Sequence, residues 1–267
     1  MITGLDHVAI AVRGFEAAVD GYRRLLGREP ELEPRDGASR AWFHLANMAL
    51  EVIAADGVGP AGERVRARLE SAGEGLWIAA FQVADVSAAA RLLSRRGLEV
   101  EPTPTVARVR AAGLDFVLTP GRIGAQPSAA IGAEEASVPA LDHLVVHTPN
   151  PDRALGLYGA KFGLDLRLDR ANEQWGARQL FFRCGGTVFE VGASLKAPIA
   201  DAPDHFGGLA WRVTDPDAAR ARIAAAGFDV SEVRSGRKPG TKVFTVRDAP
   251  GGAPTLMLMP SPELETA

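Results

Sequence analysis

The chain repeats itself, and the repeat restricts the fold more than any other feature. Leu5-Asp6-His7-Val8-Ala9-Ile10-Ala11-Val12 returns 136 residues later as Leu141-Asp142-His143-Leu144-Val145-Val146-His147-Thr148. Tyr22 and Gly27 find their counterparts in Tyr158 and Gly163 at the same spacing. Ala49-Leu50-Glu51-Val52 corresponds to Val188-Phe189-Glu190-Val191, 139 residues on, so a few residues are inserted between the two matches. A second pair repeats separately. Phe81-Gln82-Val83-Ala84-Asp85 matches Trp211-Arg212-Val213-Thr214-Asp215 at a spacing of 130, and each is followed by an alanine-rich helix. Asp85 and Asp215 are placed as N-caps, with Pro216 at a first helical position. Gly97 and Gly227 stop the two helices in left-handed geometry.

Each of the four units reads as strand, helix, then short strands, over roughly 4–55, 75–120, 140–193 and 206–260. The expected fold class is therefore α+β: four βαβββ modules, paired into domains 1–120 and 140–260. Two modules side by side would bend their sheets around a shared cavity. Residues 121–139 are rich in Ala, Gly, Ser and Pro without periodicity, the composition of a loosely packed linker. At 267 residues the chain has core enough for both domains.

Alternation along the strands sorts the side chains. Val8, Ile10 and Val12 suit a helix-packed face, which leaves His7, Ala9 and Ala11 on the other. The same count puts His143, Val145 and His147 on the concave side of the third module. Glu51 and Glu190 each sit between apolar neighbours and point away from the helices, toward the cavity. Arg212, between Trp211 and Val213, points the same way, and an inward arginine needs a partner. Glu190 is the carboxylate expected to neutralise it in the empty site.

The pattern Leu-Asp-His with alternating apolar residues and a later apolar-Glu-Val strand resembles the opening module of vicinal oxygen chelate proteins, the glyoxalase, bleomycin-resistance and dioxygenase superfamily. Trp42-Phe43-His44-Leu45 through Glu51, with Gly73-Glu74-Gly75-Leu76-Trp77-Ile78, is similar to methylmalonyl-CoA epimerases. Gly208-Leu209-Ala210-Trp211-Arg212-Val213 and Gly236-Arg237-Lys238-Pro239-Gly240-Thr241 resemble bacterial glyoxalase-like proteins. The resemblance implies two glyoxalase-like domains and a metal site drawn from paired modules. His7 and Glu51 match its first-module ligand positions, and His143 with Glu190 match them again. Ile78 and Gly208 stand where partner histidines are implied, and Phe116 or Val117 and Leu256 or Met257 where a carboxylate is. Two ligands per half are thin for a catalytic cation, so at most one Zn, Fe, Mn or Ni ion is implied, with His143, Glu190 and His205 ahead of His7 and Glu51.

Two functions of different class fit. One is an isomerase- or lyase-type enzyme acting on a small anionic oxygenated metabolite: Glu190 and His143 catalytic, Arg212 holding or stabilising negative charge, and His147, Arg237 and Lys238 contacting substrate. The other is a non-catalytic binder of a drug-like or aromatic molecule. The net charge of −3 argues against nucleic acid. No apolar run is long enough for a membrane span, and the early first strand leaves no room for a signal peptide. With a single cysteine, Cys184, a reduced cytoplasmic protein is expected, its partners a small molecule and at most a second copy in a homodimer. Gly57-Val58-Gly59-Pro60-Ala61-Gly62 fits a dinucleotide-loop pattern, but the repeat already explains it as a connection between modules.

Overall fold

The computed structural model describes residues 1–121, 127–132 and 136–261. The first module is β1 (Ile2–Ala11), α1 (Phe15–Leu26), β2 (Glu31–Leu32), β3 (Ala38–His44) and β4 (Ala49–Ala55). Helix α2 (Pro60–Ala72) leads to the second: β5 (Gly75–Val83), α3 (Val86–Arg95), β6 (Glu99–Pro102), β7 (Ala107–Ala111) and β8 (Leu114–Thr119). The third is β9 (Ala140–His147), α4 (Pro151–Ala154, running on as a π-helix over Leu155–Lys161), β10 (Asp165–Asn172), β11 (Ala177–Cys184) and β12 (Thr187–Ser194). The fourth is β13 (His205–Arg212), α5 (Pro216–Ala225), β14 (Arg234–Ser235), β15 (Lys242–Val246) and β16 (Thr255–Met259). Every module is βαβββ, as the repeat requires.

The strands form two eight-stranded sheets of one topology, β2-β3-β4-β1-β5-β8-β7-β6 and β10-β11-β12-β9-β13-β16-β15-β14. Both sheets curl without closing. Asp85 accepts from the Ala88 N–H, and Asp215 from those of Asp217 and Ala218, so both N-caps stand as the sequence placed them. Gly97 and Gly227 follow the helices with φ of 75° and 93°, a region that costs a residue with a Cβ.

Packing divides the chain into two compact units, one of Met1–Val8, Trp77–Ala125 and His143–Gly207, the other of Ala9–Leu76, Gln126–Asp142 and Gly208–Ala267. The first is organised on aromatic rings. Phe81, Phe116, Tyr158, Phe162, Phe182 and Phe189 are all buried, and their neighbouring centroids lie 4.9 to 6.3 Å apart. Each such ring contributes about 1.5–3 kcal/mol by burial alone. The second unit buries Tyr22, Leu25, Phe43, Trp211 and Phe244.

Two expectations fail at particular residues. Of the expected linker, 127–132 are half-buried or exposed, but the residues directly before β9 are tightly packed, with Ser137 and Val138 fully buried. The cause is Arg28, itself buried, which donates to the carbonyls of Val138 and Ser128 and to the Ser137 hydroxyl. The Ala-, Gly-, Ser- and Pro-rich composition misled because these residues are held by their carbonyls, which composition does not display. Residues 122–126 and 133–135 of that stretch lie outside the described set. In β1, Ala9 and Ala11 are as buried as Ile10, so the side that alternation reserved for a cavity is filled there.

The glycines of 57–62 have a packing role. The N–H groups of Ala61 and Gly62 at the start of α2 donate to the Asp36 carbonyl. A Cβ on Gly62 would collide with the Gly37 carbonyl. The donors a phosphate would need are spent on the chain itself.

Candidate functional site

The site is built on the face of β10-β11-β12-β9 opposite the buried aromatic rings. Residues directly across a ladder share a face, so the register gives its floor row by row. Leu168 pairs with Phe181, Phe181 with Glu190, and Glu190 with Val145. One step along, Arg170 pairs with Gln179, Gln179 with Gly192, and Gly192 with His147. One step the other way, Arg183 pairs with Val188 and Val188 with His143. An apolar row of Leu168, Phe181 and Val145 is thus interrupted by Glu190 and flanked by rows that carry both histidines.

Glu190 and His143 meet at 3.5 Å, Oε2 to Nε2, with side chains 13% and 16% exposed. That is ion-pair range but longer than a good hydrogen bond, so neither is tied to the other. The other carboxylate oxygen, Oε1, accepts from Gln179 Nε2 at 2.7 Å. Gln179 is buried, and its own Oε1 accepts from Arg170 Nη2 at 3.0 Å. The Arg170 guanidinium rests 5.0 Å from the Trp175 ring centroid.

His147 and His205 lie with ring centroids 5.2 Å apart. Partial burial holds the His147 pKa below the ordinary imidazole value; His205 adds to the effect and Glu190 opposes it. The ring packs over Gly207, where a Cβ would come within 2.5 Å of Nε2. His205 is the third candidate ligand implied by the resemblance, and a loop position would let it swing in. It stands instead as the first residue of β13, directly after Asp204, whose buried carboxylate accepts from Tyr158 Oη at 2.9 Å and Arg153 Nη2 at 2.6 Å.

The corresponding positions of the first sheet are locked. Glu51 is buried and accepts from Arg40 Nε at 2.8 Å. His7 Nδ1 lies 2.6 Å from Asp6 Oδ2, and His44 Nε2 lies 2.9 Å from Glu31 Oε2. Cys184 is buried and its thiol is pushed up to about 12, which leaves it without nucleophilic character at neutral pH.

In the other unit, Arg212 Nε donates to Asp142 Oδ2 at 3.0 Å, so Asp142, not Glu190, is the carboxylate that neutralises it. The sequence reading missed this because Asp142 flanks the strand residues that alternation singled out. Arg237 and Lys238 are exposed in the turn of the β14–β15 hairpin.

The metal implied by the resemblance depends on the donors present. A divalent catalytic ion asks for at least three protein ligands. His143 and Glu190 converge, but one Glu190 oxygen is occupied by Gln179. Among the described residues no group of three His, Cys, Asp or Glu side chains is placed to hold an ion. The donor set does not fit a complete metal centre.

Gln179, Arg170 and Arg40 were not recognised in the sequence. The signal was there: Arg40 and Gln179 are separated by the same 139 residues as Glu51 and Glu190. Among the described residues no helix is long and apolar enough to cross a membrane.

Solved structures with this fold are numerous. The 4-hydroxymandelate synthase from Streptomyces coelicolor, a triple mutant, superposes with a TM-score of 0.75 at 16% identity, covering 97% of this chain and 93% of its own. A Mn(II)-bound glyoxalase from Novosphingobium aromaticivorans gives 0.69 at 17%, covering 97% and 82%. A halotolerant catechol dioxygenase, BphC, gives 0.68 at 12%, covering 97% and 87%. At these identities the likeness is one of fold. A search of curated protein sequences returns no match. The model of the Glyoxalase/Bleomycin resistance protein/Dioxygenase superfamily matches residues 6–125 and again 142–245, which together with the four βαβββ modules makes this chain a member of that superfamily.

Proposed function

We propose that the protein is an isomerase- or lyase-type enzyme that moves a proton on a small anionic oxygenated metabolite, with Glu190 as general base and His143 as its acid partner. One observation carries this reading: Glu190 is held through Oε1 by a neutral amide, while Oε2 faces His143 at 3.5 Å in a partly open setting. In such a step Glu190 takes a proton from the carbon beside a carbonyl. The electron pair moves onto the oxygen, and protonated His143 returns a proton to the enolate. Groups placed this way contribute about 10²–10⁴ in rate. The apolar row of Leu168, Phe181 and Val145 supplies a floor for the substrate's carbon skeleton.

Arg212 is proposed separately as an anion anchor: an incoming carboxylate would take the place of Asp142. Arg237 and Lys238 are proposed to attract anions to that unit. A version assisted by Zn, Fe, Mn or Ni needs donors beyond His143 and Glu190; metal analysis is expected to find well under one ion per chain, and a stoichiometric ion would overturn that. The same apolar row supports a second reading, a binder that sequesters aromatic molecules without turnover.

The test is a panel of carboxylates, thioesters and catechols screened by thermal shift against wild type, Glu190→Gln, Arg212→Ala and Glu51→Gln. Glu190→Gln should keep binding and lose turnover, and Arg212→Ala should lose anionic ligands. Turnover surviving in Glu190→Gln would refute the enzyme reading. Aromatic ligands bound equally by all four variants, with no product, would favour the binder.

A further inference from the structure

The two sheets offer a comparison within one chain. Glu51 and Glu190 occupy equivalent places, opposite Trp42 and Phe181 in their respective ladders. Two residues before each ladder partner stands the side chain that grips the carboxylate, Arg40 in the first sheet and Gln179 in the second. The contact is otherwise alike: one nitrogen to Oε1, at 2.8 Å from Arg40 and 2.7 Å from Gln179. What differs is charge. The guanidinium cancels the carboxylate it holds, whereas the amide orients its carboxylate without itself cancelling the charge and leaves Oε2 facing His143 at 3.5 Å. An amide could also turn its oxygen toward the carboxylate. Arg170 prevents this by donating to Gln179 Oε1, which commits Nε2 to Glu190.

From this we infer that Gln179, set by Arg170, is the positioning residue that orients Glu190 without neutralising it, and that Arg40 is what silences the equivalent carboxylate in the first sheet. The inference rests on the functional reading above and adds to it the reason why one of two like-placed carboxylates works. It also makes the arrangement transferable: exchanging the two residue types should exchange which carboxylate is reactive.

The test needs no substrate. Full-length protein is treated with a water-soluble carbodiimide and glycine ethyl ester, and amide formation at Glu51 and Glu190 is followed by peptide mass spectrometry. The carbodiimide adds to the protonated carboxyl, and the amine then displaces the urea. A carboxylate gripped by a guanidinium must first release it, so Glu190 should label about five- to tenfold faster than Glu51. Gln179→Arg should slow Glu190 by a similar factor, Gln179→Met should not, and Arg40→Gln should raise Glu51 labelling several-fold. Circular dichroism and thermal midpoints check that each variant folds. If Gln179→Arg does not fold, Arg40→Gln decides alone. Labelling of Glu51 unchanged in Arg40→Gln, or of Glu190 slowed equally by Met and Arg, would overturn the inference. Because labelling is independent of turnover, a protein with no enzymatic activity can still pass or fail this test.

Discussion

Two tyrosines at equivalent positions make hydrogen bonds of different kinds, and the difference is large enough to measure. Tyr158, fully buried in the π-helical turn, donates to Asp204 Oδ2 at 2.9 Å. The Asp204 side chain is 0% exposed, so no water can replace the donor, and burial raises the Tyr158 pKa well above its usual value. Tyr22 is equally buried but donates to the backbone carbonyl of Pro250 at 2.9 Å, a neutral acceptor on a half-buried residue. A bond to a buried charge is worth about 1.5–3 kcal/mol and a neutral one about 0.5–1.5. Tyr158→Phe should therefore cost about 2–3 kcal/mol and Tyr22→Phe about 1 or less. At about 2–4 °C per kcal/mol for a chain of this size, scanning calorimetry should show Tm falling by roughly 4–12 °C and by at most about 4 °C respectively. Equal losses, or a larger loss for Tyr22→Phe, would refute the claim that Asp204 is held as a buried charge.

The His147–His205 pair predicts a pH dependence with a definite sign. Because burial and His205 hold the folded His147 pKa below the ordinary value of 6.5, the unfolded chain takes up that proton first as pH falls. The stability contribution is complete above about 6.5 and is lost as pH drops toward the folded midpoint. In proton NMR of the five histidines, His205→Ala should raise the His147 midpoint and Glu190→Gln should lower it; the opposite order would refute the assigned charges. For Cys184, iodoacetamide at pH 8 should label unfolded protein readily and native protein on the timescale of unfolding only, measured by intact mass.

Architecture was legible because it is written twice in the chain. His7 and His143, Asp85 and Asp215, Gly97 and Gly227 recur at fixed spacing, and caps and helix stops follow from local chemistry that needs no tertiary context. Alternation correctly put Glu190 and His143 on one face, since period two is a property of the strand itself. What alternation cannot give is the partner across the ladder. Gln179, Arg170 and Arg40 reach their carboxylates through register, which depends on the β10–β11 and β3–β4 turns. Arg212 was assigned to Glu190 because both pointed inward, and nothing in its own strand marks Asp142 as the nearer acceptor. Residues 136–139 were misjudged for a related reason: a buried arginine, Arg28, holds them by their carbonyls.

We propose proton transfer by Glu190 and none by Glu51. It is tested most directly by incubating the protein in D₂O with each oxyacid, ketone and thioester found to bind, and following loss of the proton beside the carbonyl by NMR. Wild type and Glu51→Gln should exchange at comparable rates, and Glu190→Gln should be slower by at least about 100-fold. Exchange that persists in Glu190→Gln, or disappears in Glu51→Gln, would show that Glu190 is not the base.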